Sequence, residues 1–445
     1  MFTYLKLKNF KSLKDVTIDL KENKKKVKKF VAIYGENGCG KTNLVLAFEA
    51  LKQMMLSRFT YEMWQDIRNG LMHDTKRPMN VNLFFGGSNI FFDLQSYRMI
   101  GEKEPTEIEY GFLMNGIEGY YYIKFADDIL EEELYYNTGK QRGVHFKIEN
   151  VNGKIESTLN SNIFIGPKYA SELMELIDKY WGKHSFLSIL YEEMNNKNRR
   201  FILENISENL VDTIDEFNNV VIKHDKSLNI LNFKKIGSQF EIAEGEIGIG
   251  NSDVLERYEK VLRIFFTQAY SDIKDVYYEK ESTSSSIQYQ LYFKKLIAGE
   301  VRDIPYSDES NGTKKILNQL SNIIETLDGK TVIIDEIDNG IHDILMKNMI
   351  MSIKDEITGQ LIVTTHNTLL LENLPVKELY LIMADYNGNK SINCIADYDF
   401  KVQKNHNVRD LYFKGVFGGV PTTDYIDFEE IKHTLFDGEN KEVEK

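Results

Sequence analysis

Short runs of alternating and continuous apolar residues open the chain. Residues 2–8 and residues 16–20 alternate apolar and polar side chains, a pattern that predicts two short strands. Residues 30–33 are continuously apolar and lead into a glycine-rich stretch, which predicts a third strand. Apolar side chains then recur at helical spacing to about residue 67. The beginning of the chain therefore predicts three strands followed by a helix.

The middle of the chain changes from β to helical periodicity. Residues 78–92 predict a strand, a turn and a strand, and residues 106–148 predict an antiparallel meander. Residues 171–222 and 251–269 carry apolar side chains at helical spacing and few glycines. We therefore expect an antiparallel β subdomain and, after it, a helical insertion.

The last third of the chain returns to strands that alternate with helices. A polar, glycine-bearing stretch precedes a helix at residues 306–317, and later apolar strands end at Asp335-Glu336 and at His366. Such alternation, together with the first apolar strand, indicates a mostly parallel sheet. The predicted fold class is α/β, with a mostly parallel sheet, an antiparallel β subdomain and a helical insertion. The predicted units are residues 1–165, 166–284 and 285–445.

A glycine-rich stretch at residues 35–42 has the spacing G-x-x-x-x-G-K-T of a phosphate-binding loop. Its glycines let the backbone curl so that NH groups and the N-terminus of the following helix point at the phosphates of a nucleotide. Lys41 would reach the β- and γ-phosphates, and Thr42 would ligate Mg²⁺. The expected cofactors are ATP and Mg²⁺. The expected nucleotide-binding residues of the loop are Gly35, Asn37, Gly38, Gly40, Lys41, Thr42 and Asn43.

Two later strand ends supply the groups that hydrolysis would need. Asp335 follows an apolar strand and could hold the Mg²⁺ shell together with Thr42, while Glu336 could polarise the attacking water. His366 follows the next strand and could contact the γ-phosphate. We therefore predict Asp335 and Thr42 as metal ligands and Glu336 and His366 as catalytic residues.

The order of these features resembles a known family. A phosphate loop, a long insertion, a Ser-x-Gly turn before a helix, an Asp-Glu pair and a histidine resemble an ABC-type ATPase of the SMC and RecF branch. Residues 7–13 are similar to the first strand of that branch, and residues 309–313 resemble its signature loop. Residues 407–421 resemble the C-terminal segments of stand-alone bacterial ATPases from abortive-infection and phage-defence systems. The resemblance covers residues 1–165 and 285–425.

The resemblance implies an ABC-type ATPase head with a composite site. In that family two heads dimerise head to tail, so Ser310 and Gly312 of one subunit would cap the γ-phosphate held by the loop of the other. Gln95 is one candidate for the family's glutamine that touches Mg²⁺ and water. His342 stands where the family often carries an aspartate. A homo-oligomer with a separate effector protein as partner is the expected assembly.

The net charge of the chain limits the classes of binding partner that are expected. A net charge of −13 disfavours a surface that is basic throughout, so nucleic-acid binding would need a local patch. The lysine run at residues 21–29 could be such a contact, although a solvated hairpin connection is favoured. A second basic patch could be formed by Lys404, His406, Arg409 and Lys414.

Cysteine content and hydropathy predict the compartment. Two cysteines cannot make a disulfide framework, and no run of about 18 apolar residues indicates a membrane span. A cytoplasmic location without membrane partners is expected. Cys39 lies in the phosphate loop, where NH groups could lower its thiol pKa and make it a redox sensor; a small loop residue is the favoured interpretation.

Three functions remain compatible with the sequence. The favoured one is an ATP-hydrolysing switch that dimerises on ATP and controls an effector, in bacterial anti-phage defence. A scaffold protein that holds nucleotide for structure uses the same loop but would not require Glu336. A RecF-like repair ATPase that binds duplex DNA is the third. The combination of Asp335-Glu336 with His366 favours the switch, because a purely structural site would not require a water-activating carboxylate.

Overall fold

A computed structural model describes the chain over most of its length. The described residues are 1–23, 25–68, 93–137, 142–224, 241–403, 406–418 and 426–436. The strand, turn and strand predicted at residues 78–92 and the side chain of Lys404 lie outside these residues.

Most strands of the described chain lie within residues 2–35, 106–159 and 244–394. They are β1 (Phe2–Phe10), β2 (Leu13–Asp19), β3 (Lys21–Asn23), β4 (Lys26–Val27), β5 (Phe30–Gly35), β6 (Thr106–Met114), β7 (Ile117–Phe125), β8 (Ile129–Asn137), β9 (Arg142–Val151), β10 (Lys154–Leu159), β11 (Val221–Lys223), β12 (Glu244–Gly248), β13 (Ile273–Ser282), β14 (Ser286–Ile297), β15 (Glu300–Pro305), β16 (Thr331–Ile334), β17 (Gln360–Thr364), β18 (Leu379–Ala384) and β19 (Lys390–Cys394).

The α-helices vary in length from 5 to 28 residues. They are α1 (Lys41–Arg68), α2 (Pro167–Tyr180), α3 (Phe186–Asn196), α4 (Arg199–Asn205), α5 (Glu208–Asn218), α6 (Ser252–Ala269), α7 (Asn311–Ile324), α8 (Asp343–Ile353), α9 (Leu369–Asn373), α10 (Val408–Phe413) and α11 (Phe428–Phe436). Among the described helices, none combines the length and the apolar content that crossing a membrane requires.

The central sheet has the strand order β11-β16-β17-β5-β18-β19, and every neighbouring pair is parallel except β18 with β19. Strands β5, β16 and β17 are buried along their whole length, as expected for parallel strands covered on both faces. Their continuous apolar runs follow from that burial. Because the strands are parallel, their carboxyl ends meet at one edge, where such sheets bind ligands.

Alternate side chains of β5 join two separate cores. Val31 and Ile33 pack in one cluster with Phe48 of α1 and with the antiparallel strands. Phe30 and Ala32 pack in the other cluster, with α7 and α8. The central sheet is therefore covered on one face by α1 and on the other by the C-terminal helices, which confirms the predicted α/β class.

The antiparallel sheet contains more strands than the predicted meander. Its order is β10-β9-β8-β7-β6-β1-β2, so the two opening strands belong to this sheet and pair with it through β1 and β6. Helix α1 packs against it, since the Phe2 and Phe48 rings lie 4.9 Å apart and the Tyr110 hydroxyl donates to the Ala47 carbonyl at 2.5 Å. Helix α1, which follows the phosphate loop, is therefore packed between the antiparallel sheet and the central sheet.

The segment predicted as helical also contains strands, which corrects the prediction for residues 171–222. Helices α2 to α5 are present, but β11 follows α5 and joins the central sheet beside β16. Strand β11 has only three residues, which are too few to show an alternation of apolar and polar side chains. Its partner strand β16 is also distant in the sequence. Strand β13 was missed as well, and it forms a third sheet with β12, β14 and β15.

The lysine run forms the hairpin that the sequence favoured. Strands β3 and β4 pair with each other in an antiparallel arrangement. Two of the hairpin's charges are paired, since the Lys21 ammonium lies 3.0 Å from the Glu118 carboxylate and Glu22 accepts from Lys377.

A fully buried carboxylate fixes the helical segment to the antiparallel sheet. Glu132 of β8 accepts hydrogen bonds from the Trp181 indole at 2.8 Å, the Tyr121 hydroxyl at 3.0 Å, and the backbone N–H groups of Phe186 and Leu187 at 2.7 and 3.2 Å. The last two groups open helix α3, so the carboxylate also faces the positive end of a helix. Burial raises the pKa of Glu132, and these donors oppose that shift because they favour the charged form.

Glu132→Gln is expected to lower the free energy of unfolding by about 2–4 kcal/mol, although it preserves the size of the side chain. Glutamine replaces one carboxylate oxygen with an NH₂ group, which is a donor. This donor faces N–H and O–H groups that donate to the carboxylate in the wild type, so some of those hydrogen bonds are lost. Urea denaturation followed by circular dichroism measures the change. Glu131→Gln is the matched control: its side chain is 25% exposed and its carboxylate lies 3.2 Å from Lys147, so its loss costs less than about 1 kcal/mol. Equal denaturation midpoints for the two variants would contradict this role of Glu132.

Candidate functional site at the carboxyl edge of the central sheet

The glycines of the phosphate loop are required by its geometry. A Cβ atom on Gly35 would lie 2.5 Å from the Ile382 side chain and 2.6 Å from the Ile382 carbonyl, because β18 runs directly beside β5. Gly38 and Gly40 have φ angles of +79° and +110°, which side chains other than hydrogen rarely tolerate. The loop therefore curls tightly between the end of β5 and the first turn of α1, as predicted.

The lysine of the loop folds across it. The Lys41 ammonium donates to the carbonyl oxygens of Gly35 at 2.8 Å and of Glu36 at 3.0 Å. Burial lowers the pKa of Lys41, while the carboxylates of Asp335 and Glu336 act in the opposite direction. The parallel order β16-β17-β5 places these two acidic residues and the loop at the same edge of the sheet. One site brings together the loop and the end of β16.

The first turn of α1 has one exposed polar side chain beside the buried Lys41. Thr42 is exposed, and no acidic residue occupies this turn. The Asn43 amide donates to the Ser12 hydroxyl at 2.7 Å, which connects the turn to the antiparallel sheet. The first N–H groups of a helix have no intrahelical partner, so a helix without an acidic residue in its first turn suits an anionic ligand.

A threonine that the sequence analysis missed holds the two acidic residues in place. Thr364, at the end of β17, donates its hydroxyl proton to the Asp335 carboxylate and accepts from the Glu336 N–H at 2.7 Å. Strand β17 lies between β5 and β16, so the hydroxyl stands at the centre of the carboxyl edge. The Thr-Thr-His sequence carried this signal, but only the strand order shows which residues it faces.

The backbone of Glu336 is strained. Its φ angle is +47°, a left-handed conformation that residues other than glycine, asparagine and aspartate seldom adopt. Hydrogen bonds from the N–H groups of Glu336 and Ile337 to Thr364 hold this conformation. Strain of this kind persists where the surrounding structure over-determines it, and it concentrates at functional sites.

His366 is held by a second residue that the sequence analysis missed. The His366 N–H donates to both carboxylate oxygens of Asp338, at 3.1 and 3.3 Å, and the histidine is exposed. The buried Asn367 accepts a hydrogen bond from the Tyr34 hydroxyl at 3.0 Å through its carbonyl. The turn after β17 is thus attached both to the end of β16 and to β5, and Asp338 could have been suspected from its position three residues after Asp335.

The predicted signature residues lie at an exposed helix start. Ser310 caps α7 by accepting from the Thr313 N–H at 3.1 Å. A Cβ atom on Gly312 would meet nothing nearer than 3.8 Å, so packing within the chain does not require glycine there. The Lys315 ammonium donates to the Asn339 side chain at 3.1 Å, which connects α7 to the segment after Glu336.

A comparison with protein families decides the relationship of the chain. The model of the family described as "AAA domain, putative AbiEii toxin, Type IV TA system" matches residues 30–372. The chain belongs to this AAA domain family. The match runs from the strand before the phosphate loop to the helix after His366.

Matches to solved structures were also found for this AAA domain, and a search of curated proteins gave no match. Three of these structures are an SMC head bound to the C-winged helix domain of ScpA (17% identity, 88% of this chain and 96% of that chain covered, TM-score 0.44), the SMC head domain from Thermotoga maritima (16%, 88% and 98%, 0.37), and an Smc head domain with an extended coiled coil bound to the C-terminal domain of ScpA derived from Pyrococcus furiosus (14%, 88% and 95%, 0.40).

Two residues considered at the site have other contacts in the AAA domain. Gln95 lies in a 3-10 turn (Leu94–Tyr97), and its amide donates to Asp127 between β7 and β8, a contact that does not join it to the phosphate loop. His342 caps α8, accepting from the Ile344 N–H at 3.3 Å. Its side chain is exposed near the segment that carries Glu336.

The thiol and the second basic patch gain no support from their surroundings. Burial raises the pKa of Cys39, which agrees with a small loop residue and not with an activated thiol. Arg409 lies 3.3 Å from the Glu372 carboxylate, and the His406 ring stacks on Phe400. Two members of the predicted basic patch are therefore engaged within the chain.

Proposed function

We propose that the protein is an ATP-binding and ATP-hydrolysing switch whose ATP-bound heads associate and control a separate effector. The observation that carries the proposal is the shared edge of the central sheet, where β5 leads into the phosphate loop and β16 leads into Asp335 and Glu336, with β17 between the two strands. A loop that only anchored a nucleotide would not require a carboxylate held in a strained conformation beside it. Glu336 has that conformation, with a φ angle of +47°.

The residues of this edge divide the work of hydrolysis among themselves. The loop N–H groups and Lys41 would bind the phosphates of ATP, and Glu336 would orient and polarise the attacking water. The exposed His366, fixed through Asp338, would contact the γ-phosphate. Thr42 and Asp335 would hold Mg²⁺, which neutralises phosphate charge when bound. The tight glycine loop and the acid-free first turn of α1 fit such an anionic ligand.

The start of α7 supports association between heads. Ser310 is exposed, and Gly312 has space for a side chain within its own subunit. A glycine without an internal reason is explained if the phosphates of a second subunit approach this helix N-terminus closely. The link from Lys315 to Asn339 would then connect the interface to the segment that carries Glu336.

Ser310→Arg is expected to leave ATP binding unchanged and to block ATP-dependent association, because a large cation would occupy the space of the second subunit's phosphates. Sedimentation velocity with a non-hydrolysable ATP analogue measures the association. The matched control is Ser321→Arg on the same helix, where Ser321 is partly exposed and donates to the Asn318 carbonyl at 2.7 Å. Equal masses for the Ser310→Arg variant and the wild type in the presence of the analogue would refute the role of this loop.

The helical segment is attached to the site from two sides, which supports its role in passing on the nucleotide state. The buried Lys52 of α1 donates to the Val220 carbonyl at 3.1 Å. The His224 Nε2 atom lies 2.7 Å from the carboxylate of the buried Glu49 of α1. The Asp335 N–H donates to the Lys223 carbonyl at 2.8 Å. Strand β11 thus connects α5 both to the phosphate-loop helix and to the end of β16, where Asp335 would hold Mg²⁺.

Anti-phage defence is the proposed setting of the switch. The description of its family, which refers to a toxin of a toxin–antitoxin system, supports this setting. Plating of phage on bacteria that carry the gene with its neighbours tests the idea, with Lys41→Ala as the inactive comparison. Equal plaque numbers for wild type, variant and empty cells across a phage panel would count against it.

A further inference from the structure

A second lysine reaches the phosphate loop from the edge of the central sheet. Lys390 is the first residue of β19 and pairs with Ala384 of β18, the strand that runs beside the loop. Its ammonium donates to the Gly38 carbonyl at 2.8 Å and to the Ser12 hydroxyl at 2.9 Å. Sequence analysis missed this residue because nothing in the glycine-rich stretch predicts which distant strand lies next to it.

The turn that presents Lys390 is built rigidly. The Asp385 carboxylate accepts from the backbone N–H groups of Asn387 and Asn389, both at 2.8 Å, and from the Asn389 amide at 2.9 Å. Gly388 supplies the left-handed residue of the turn, with a φ angle of +78°. The turn fixes the backbone of Lys390, and the hydrogen bonds to Gly38 and Ser12 hold its ammonium, so little conformational freedom is lost when it binds a ligand.

The order of the strands tells which part of a nucleotide Lys390 would meet. Glu336 and His366, which would act on the γ-phosphate, follow β16 and β17 on one side of β5. Lys390 lies on the opposite side, beyond β18. A triphosphate whose γ-phosphate faces Glu336 therefore extends its α-phosphate and nucleoside toward β18 and β19.

We infer that Lys390 is a second nucleotide-binding cation, which contacts the α-phosphate side of the bound nucleotide. The inference rests on the proposed function and deepens it. An ammonium has three N–H donors, and within the described chain two of them meet Gly38 and Ser12, so one remains for a phosphate oxygen. Lys41 then contacts the β- and γ-phosphates, and Lys390 contacts the α-phosphate side of the nucleotide, which ATP and ADP have in common.

Isothermal titration of Lys390→Gln with ATP and with ADP tests the assignment. Loss of one charge-assisted hydrogen bond is expected to raise both dissociation constants about tenfold and by similar factors. Lys390→Arg should retain most of the affinity, and Lys401→Gln, at an exposed lysine of the same region, should bind as the wild type does. Unchanged affinities for both nucleotides would overturn the inference. A loss confined to ATP would also overturn it, because it would place the ammonium at the γ-phosphate.

The salt dependence separates a phosphate contact from a purely structural tether. If Lys390 contacts phosphate, the affinity for ADP falls less steeply with potassium chloride in Lys390→Gln than in the wild type. An unchanged salt dependence would show that Lys390 only supports the loop and would overturn the inference. Failure of the wild-type protein itself to bind either nucleotide would refute the proposed function instead, so the two failures are distinguishable.

Discussion

Lys41→Ala is expected to raise the dissociation constant for ATP by about 100-fold or more, since it removes a charge-assisted contact to two phosphates. The buried ammonium already lies at the loop, 2.8 Å from the Gly35 carbonyl, so its position needs little adjustment. Isothermal titration with ATP and Mg²⁺ measures the loss. Because the variant no longer binds ATP, ATP hydrolysis and ATP-dependent association should also be lost.

Two comparisons keep this result interpretable. Lys168→Ala, at an exposed lysine of α2, should bind ATP as the wild type does. Thermal melting without nucleotide should show that Lys41→Ala is folded. A folded Lys41→Ala protein with the affinity of the wild type would mean that ATP binds elsewhere.

Glu336→Gln is expected to lower turnover roughly 10²- to 10⁴-fold while ATP still binds, because the amide cannot accept a proton from the attacking water. The backbone hydrogen bonds to Thr364 that hold residue 336 do not involve its side chain, so the geometry of the segment should survive. Phosphate release at saturating ATP measures the effect. Glu356→Gln, at an exposed glutamate after α8, is the matched control and should hydrolyse ATP at the wild-type rate. Wild-type turnover in Glu336→Gln would show that another group activates the water.

Patterns within short stretches predicted much of the fold. The continuously apolar runs of β5, β16 and β17 were found because parallel strands are buried on both faces. Strand β11 escaped because three residues carry no period, and its place beside β16 depends on a partner that is distant in sequence. The alternation of β1 predicted a strand with one buried face, but not that it pairs with β6.

The same limit applies to the site. Residue type and spacing pointed to Gly35, Lys41 and Glu336, since the loop and the acidic strand end are local patterns. Thr364 and Lys390 gain their importance from the order of the strands, which sets one beside Asp335 and the other beside Gly38. Contacts of this kind depend on tertiary structure, and no short stretch of the chain contains them.

The most direct test of the switch is the molar mass of Glu336→Gln in solution, measured by light scattering without nucleotide, with ADP and with ATP. This variant should bind ATP without consuming it, so the closed state would accumulate. The proposed mechanism predicts twice the mass with ATP as with ADP or without nucleotide. A single mass under all three conditions, with ATP shown to be bound, would contradict it.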